Sequence, residues 1–357
     1  MSRIFRAAAV AAAGAAIALT ATACGSTPAP GGAANGPVVK GDPTVSLMVG
    51  GIDKQIYLPY QLAQDLGFYK KYGVNVQLST EQSGGVGAED AMASGQVDMA
   101  GAWYEHTIDF QQKGKSVEDV VQLSGAPGER IMCANGTKIT SPAQWKGKSL
   151  GVTDLGSGTD ELTQYLAARY GLNTKEYTRV AAGDGNTMIS ALQHNRIACG
   201  MTTQPTVAAI EQQKAGYMAF DLATTAGVNR WLGGFVPTAS VLAQTSWVNS
   251  HKATVQKVVD ALVATMHWIS THSAAQIAAK MPPDYVSNSL VTKSEYISAL
   301  AQDKTQFLPD GIMPANGPKT VEAIGKTAGT ITGTPNMAVT YTNSFAQAAN
   351  KLEGYSG

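Results

Sequence analysis

WKGKSLGVTDLGSGTDELTQYLAARYGL, residues 145–172, reads as strand, turn and helix in that order. Ser149 to Val152 is a short apolar run, Gly156 and Gly158 break it, and Ser157 and Thr159 open a helix. Hydroxyl side chains at a helix start accept its unpaired amide protons. The amides left over point outward with partial positive charge, so backbone alone can hold a polar ligand group there. The run is not a Walker loop, since no Gly-Lys-Ser/Thr follows, and Glu161 stands where a dinucleotide fingerprint needs its third glycine. An ordinary strand–turn–helix connection would use the same residues, so the rest of the chain has to decide.

The decisive context is an internal repeat. Thr44 to Val49 is strand-like and ends at Gly50-Gly51; Ser149 to Val152 is its counterpart, roughly 100 residues later. A helix from Leu58 to Lys71 closes on Tyr72-Gly73-Val74-Asn75, and one from Glu161 to Arg169 closes on Tyr170-Gly171-Leu172-Asn173. Each glycine stops a helix ahead of a strand, Val74 to Leu78 or Tyr177 to Val180. Ala91 to Ala100 then parallels Ala191 to Gly200, and Ile108 to Lys113 parallels Ile210 to Lys214. Two similar β-α-β lobes follow, an α/β fold with mostly parallel sheets and ligands bound beyond the strand C-termini. If the lobes face each other, one cleft is lined by Gly50 to Tyr57 and Ala102 to Glu105 from the first. Asp154 to Asp160 and Thr202 to Pro205 line it from the second.

Phe235 to Leu242 reads as a strand returning between lobes. Trp247 to His272 is a long amphipathic helix whose inner stripe includes Val255, Val259, Leu262 and Met266. Helices at Lys293 to Thr305, Pro318 to Gly325 and Tyr341 to Lys351 are expected to pad the first lobe. The domain division is therefore 44–127 with 237–351 as lobe I, and 128–236 as lobe II.

The chain has 357 residues, enough for two cores. Its 26 basic side chains balance 26 acidic ones with no block of like charge, which argues against a nucleic-acid partner. Arg3 and Arg6 precede an uncharged, alanine-rich run, so residues 1–23 read as a secretory signal. Ala21-Thr22-Ala23-Cys24 resembles a bacterial lipobox with Cys24 as the acylated residue; a plain signal with an incidental cysteine is the alternative. Acyl chains would anchor the protein to the outer face of the membrane, with 24–43, rich in Gly, Ala and Pro, as a flexible tether. Cys133 and Cys199 remain, and export places them where a disulfide can form; two buried thiols are equally compatible with the sequence. The five histidines are scattered, so no metal site is expected.

With these features in place, the sequence resembles the extracytoplasmic solute-binding proteins of ABC importers for nitrate, alkanesulfonates, taurine and thiamine-precursor pyrimidines. The residues that carry the resemblance are Leu58-Pro59 through Ala63, Leu66 to Val76, Gly84-Gly85, Ser94 to Asp98, Trp145 to Val152, Gly156-Ser157-Gly158 and Tyr341 to Phe345. It implies a periplasmic-binding-protein type II fold, with two lobes on a two-strand hinge closing over a small molecule. The implied partner is an ABC permease, the implied state a monomer, and no cofactor is implied.

The family's sulfonate and nitrate binders use the helix start after the second-lobe Gly-Ser turn, which implies Ser157, Gly158 and Thr159 here. This chain departs by placing Asp160 and Glu161 in the first turn, where they satisfy the helix dipole and repel an anion. Glu105 adds a carboxylate, and Tyr57, Trp103, Tyr104 and Trp231 supply aromatics, with Gly51 and Gln204 in the same loops. An aromatic wall with carboxylates suits a planar, nitrogen-bearing solute or an amine. A sulfonate, taurine or nitrate stands next, with Arg130, Arg179 or Arg230 as the cation it would need. Trp103 and Trp231 as core residues, and Asp160 as a mere cap, are the plainer alternatives. An enzyme on the same scaffold, acting on a pyrimidine-like metabolite, and a sensor for a membrane receptor are the rival functions.

Overall fold

A computed structural model describes residues 35–81 and 85–355. The signal 1–23, Cys24, much of the 24–43 tether and Gly84 lie outside the described residues. Ten strands run β1 Thr44–Val49, β2 Asn75–Thr80, β3 Met99–Trp103, β4 Val117–Gln122, β5 Arg130–Ala134, β6 Ser149–Val152, β7 Thr178–Ala181, β8 Cys199–Thr202, β9 Gly216–Asp221 and β10 Ala239–Gln244. They form two five-stranded sheets, ordered β2-β1-β3-β10-β4 and β7-β6-β8-β5-β9. The repeated units occupy equivalent places: β1, β2 and β3 match β6, β7 and β8.

The sheets are mixed, which corrects the expectation of mostly parallel pairing. In the first, β1 pairs parallel with β2 and β3, while β10 pairs antiparallel with β3 and β4. In the second, β6 pairs parallel with β7 and β8, while β5 pairs antiparallel with β8 and β9. The antiparallel member of each sheet is the strand the chain makes just after crossing from the other lobe, so it enters from the opposite end.

The two crossings, 123–129 and 232–238, lie side by side. Val236 N donates to Gly125 O at 3.1 Å and Thr238 N to Ser124 O at 3.2 Å. The Ser124 and Thr238 hydroxyls are 2.7 Å apart, and Thr238 Oγ1 also donates to Ala126 O at 2.9 Å. This doubled, cross-bonded strap is the covalent link between lobes within the core of the fold.

Helix limits shift where local geometry intervenes. The predicted Leu58–Lys71 helix divides into Leu58–Asp65 and Phe68–Lys71, because Gly67 adopts the left-handed φ of +73° between them. The predicted Trp247–His272 helix divides at His251, leaving Thr245–Ser250 and Lys252–Thr271. The longer piece buries Val255, Val258, Val259, Leu262, Val263, Met266 and Ile269, and it packs on Ser344–Glu353.

One C-terminal helix does not pad the first lobe as expected. Gly317–Ala328 packs on the Gly158–Arg169 helix that begins after β6, because its apolar Val321 and Ile324 meet Leu162 there. Cys133 on β5 and Cys199 on β8 are directly opposed in register and joined by a disulfide. Among the described residues no helix is long and apolar enough to cross a membrane.

Candidate functional site

The C-terminal ends of β1 and β3 face those of β6 and β8. Between them lies a cavity of about 20 Å³, space for roughly one water. Its aromatic wall is Tyr57 and Trp103, both buried. The opposite wall is Thr153, Gly158 and Thr159, and Lys54, Ile56, Glu129, Asp184, Thr202 and Thr203 complete the lining.

The helix start after β6 is built as its residues dictate. Ser157 caps the helix, its Oγ accepting from Asp160 N at 3.4 Å. Its hydroxyl also meets Thr159 Oγ1 at 2.8 Å, and Thr159 Oγ1 meets Thr153 Oγ1 at 2.8 Å. These three hydroxyls satisfy one another, so Gly158 forms the bare patch. Trp103 lies directly on it: a Cβ at Gly158 would stand 2.5 Å from Trp103 Cζ3 and 2.5 Å from Glu105 Oε1.

Two buried charge clusters cross the cleft. In the first, Lys54 Nζ reaches Asp184 Oδ2 at 2.6 Å and Gly50 O at 3.1 Å. Burial alone would lower the Lys54 pKa, but Asp184 beside it raises it above the ordinary value. Glu129 belongs to this group; burial, against the pull of Lys54, lifts its carboxyl to about 8. Glu129 Oε2 and Thr202 Oγ1 are buried and have no hydrogen-bond partner. One backbone bond also spans the lobes here, Gln55 N to Gln204 O at 3.0 Å.

The second cluster surrounds a gap of about 10 Å³ lined by Trp103, Glu105, Gly158 and Glu161. His106 Nε2 stands 2.9 Å from Glu89 Oε1 and 3.3 Å from Glu105 Oε1. Glu161 Oε2 accepts from Thr330 Oγ1 at 2.6 Å. Burial first, then neighbouring carboxylates, raises Glu105 to about 8 and Glu161 to about 7, with His106 pulling the other way. Glu89 is lifted to about 7 by burial against the same imidazole. Burial works against protonation of His106, but Glu89 and Glu105 reverse this and hold its pKa well above the ordinary value.

The sequence-derived candidates are distributed unevenly. Tyr57, Trp103, Gly158 and Thr159 line the cavity, and Glu105 lines the adjoining gap. Ser157 supports Thr159 from behind. Gly51, at φ +94°, shapes the turn and accepts Lys54 N at 3.0 Å. Gln204 offers its carbonyl to Gln55, while its side chain accepts from Ala208 N at 3.1 Å. Asp160 takes two hydrogen bonds from Arg179, at 2.7 and 2.5 Å, and one from Gly156 N at 2.9 Å. Tyr104 is engaged elsewhere, its hydroxyl 2.5 Å from Thr340 Oγ1 and its ring edge-on to Tyr341. Trp231 packs 4.6 Å from the Phe220 ring, with Arg230 over its face.

Lys54, Glu129 and Asp184 were not among the candidates. Asp184 follows β7, a strand end like the four that were used, and that was the available signal. Arg130, offered as a cation for an anionic solute, is held by Asp303 in a fork of 2.7 and 2.6 Å. Among the described residues no group of three or more His, Cys, Asp or Glu is disposed to hold a metal ion.

Comparison with known proteins follows the same lines. The family model described as NMT1/THI5-like matches residues 56–276. A protein of Bordetella bronchiseptica RB50 with a solved structure is 26% identical over 87% of this chain and 98% of its own, with a TM-score of 0.80. The periplasmic nitrate-binding protein NrtA of Synechocystis PCC 6803 shares 14% identity over 87% of this chain and 88% of its own, at a TM-score of 0.67. The alkanesulfonate-binding protein SsuA of Xanthomonas axonopodis pv. citri, bound to MOPS, shares 16% over 84% and 98%, at 0.65. No curated protein matches the chain. The two-lobed α/β architecture is the periplasmic-binding-protein fold.

Proposed function

The chain belongs to the NMT1/THI5-like family, and from that premise we propose that it is the extracytoplasmic solute-binding component of an ABC importer. Its cargo is a small organic nitrogenous solute, a planar heterocycle or an amine. Residues 44–127 with 237–351 act as one lobe and 128–236 as the other, hinged on the paired crossings. The lobes part to admit the solute, since the present cavity holds about one water. Closure then adds the second lobe's contacts, and the closed form is what a permease would receive. Cys24, acylated after removal of 1–23, would tether a monomer to the outer face of the membrane.

The observation that carries the choice of solute is a pair of buried polar oxygens left without partners. Glu129 Oε2 and Thr202 Oγ1 stand buried without partners beside Tyr57 and Trp103. Burial lifts the Glu129 carboxyl to about 8, so a ligand that brings N–H groups or positive charge is what lets it ionise and pair. Meanwhile Arg130, Arg179 and Arg230 are engaged with Asp303, Asp160 and Trp231, and Lys54 with Asp184. An anion would meet no uncommitted cation among these. A stacked ring with two or three hydrogen bonds is enough for micromolar binding, about −8 kcal/mol.

A thermal-shift screen, confirmed by native mass spectrometry, tests the reading with aminated heterocycles, alkylamines, alkanesulfonates and nitrate. Stabilisation by nitrogenous compounds, lost in Glu129→Gln, is the expected result. Stabilisation by sulfonates or nitrate alone would overturn the choice of solute, and turnover of a bound compound would overturn the importer reading. Release of the protein from membranes by Cys24→Ser checks the anchor.

A further inference from the structure

The cluster beside Trp103 has a charge imbalance that closure itself creates. Glu105 starts the Glu105–Gln112 helix of the first lobe, and Glu161 lies in the first turn of the Gly158–Arg169 helix of the second. Both line the same narrow gap, so carboxyl groups from opposite lobes face one small space. The other charged groups acting on them are Glu89, His106, Asp109 and Asp160. Asp160 is neutralised by Arg179. That leaves Glu89, Glu105, Asp109 and Glu161 around one imidazole. The gap's other lining, Leu162, Val236, Pro237, Thr238, Val321 and Ile324, brings no charge.

His106 is shared, nearer to Glu89 than to Glu105, and Glu105 Oε1 receives no hydrogen bond although the residue is 5% exposed. This oxygen is aimed at Gly158, which the gap shares with the solute cavity, where Glu129 Oε2 also lacks a donor. We infer that the solute is bound as a cation in exchange for a proton: its protonated nitrogen settles between Glu105 and Glu161, and one proton leaves these carboxyls for solvent. No bond to carbon is made or broken; one positive charge replaces another. The inference rests on the proposed function and sharpens it from nitrogenous to cationic.

The sign of the linkage follows from which form holds the proton. In the closed cleft burial keeps Glu105 and Glu161 protonated at pH values where an exposed carboxyl is ionised. A cation that must displace that proton binds more tightly as pH rises toward about 8, by up to tenfold per pH unit for one proton exchanged. A neutral ring gains nothing from the rise, and an anion gains nothing from these carboxylates.

Calorimetric titration with benzylammonium, benzyl alcohol and benzenesulfonate at about pH 6.5 and about pH 7.5, in phosphate and in Tris, tests this directly. The expected result is benzylammonium binding that tightens severalfold to tenfold with the rise and releases close to one proton, read from the difference between buffers. Glu161→Gln should weaken that binding and reduce both its pH dependence and its proton release. Glu105→Gln should do the same, which guards against a fold defect peculiar to one variant. Benzylammonium binding that is flat in pH, equal affinity for benzyl alcohol, or no benzylammonium binding at millimolar concentration would overturn the exchange. Preferential binding of benzenesulfonate would instead overturn the nitrogenous reading beneath it.

Discussion

Replacing Gly158 by Ala separates the closed arrangement from every other property of the fold. Gly158 is the first residue of its helix, and the absence of a side chain is what lets Trp103 and Glu105 approach. A Cβ there would stand 2.5 Å from Trp103 Cζ3 and 2.5 Å from Glu105 Oε1. Within lobe II the change is neutral or slightly favourable, since Ala exceeds Gly as a helix former by at most about 0.5–1 kcal/mol. That gain is present whether the lobes are open or closed. The overlap exists only when they are closed, and forcing a methyl into a packed interface costs about 1–3 kcal/mol. The ratio of closed to open molecules should therefore fall by about 5- to 150-fold. Small-angle scattering should report a larger radius of gyration for Gly158→Ala, with secondary structure unchanged by circular dichroism. Trp103→Ala in the same chain removes the larger obstacle, so the double variant should close more readily than Gly158→Ala alone. A scattering profile identical to that of the parent protein in Gly158→Ala would refute the claim that the indole seals the cleft on bare backbone.

Three other outcomes follow from the same contacts. Lys54→Met leaves Asp184 and Glu129 facing each other without their cation, so the closed form should lose about 3–5 kcal/mol and scattering should show opening; an unchanged profile would remove the Lys54–Asp184 pair as a latch. Asp303→Ala strands Arg130, whose next carboxylate neighbour is Asp221 at 3.7 Å, and should cost about 3–5 kcal/mol in denaturant unfolding, with Asp303→Asn milder; equal midpoints for all three proteins would count against a structural role. Reduction of the Cys133–Cys199 bond, which closes a loop of 66 residues, should lower stability by about 2–4 kcal/mol, and an unfolding midpoint indifferent to reductant would contradict it.

The architecture was legible because it is written twice. Helix-stopping Gly73 and Gly171, each between an aromatic helix end and a strand, fix the same unit about 100 residues apart. What the repeat does not encode is where the chain crosses. β5 and β10 lie in the lobes the division at 127/128 and 236/237 gives them, but each enters its sheet antiparallel because it follows a crossing, at 123–129 or 232–238. The Gly317–Ala328 helix was misplaced for a similar reason: its apolar stripe marks a buried face without naming the surface it meets.

The site was legible in part. Trp103 and Tyr104 are adjacent, so at a strand end they are directed to opposite sides; one residue type at two consecutive positions cannot say which side is the cleft. Trp231 shows the same ambiguity, since its ring packs on Phe220 and reads equally well as core. Lys54 and Asp184 each stand in a loop after a strand, but their pairing is invisible to any local pattern, because they lie far apart in sequence and meet only when the lobes do.

The charges around the cleft, more than the fold, set which solute it can hold. Strand ends and a helix start supply a polar, neutral floor, and the loops above it decide which charge is left over. Here Arg130, Arg179 and Lys54 are each matched by a carboxylate on a neighbouring element. Four further carboxyls, Glu89, Glu105, Glu161 and Glu129, are buried with the His106 imidazole and the Lys54 ammonium, already engaged by Asp184, as nearby cations. Buried carboxyls in excess must be protonated or must meet a cation, because an uncompensated buried charge is among the costliest features a protein can carry. Under the proposed function, closure on a cation lets these carboxyls ionise, and closure without one leaves them protonated. The same helix start, left without Asp160, Glu161 and Glu105, would favour an anion instead.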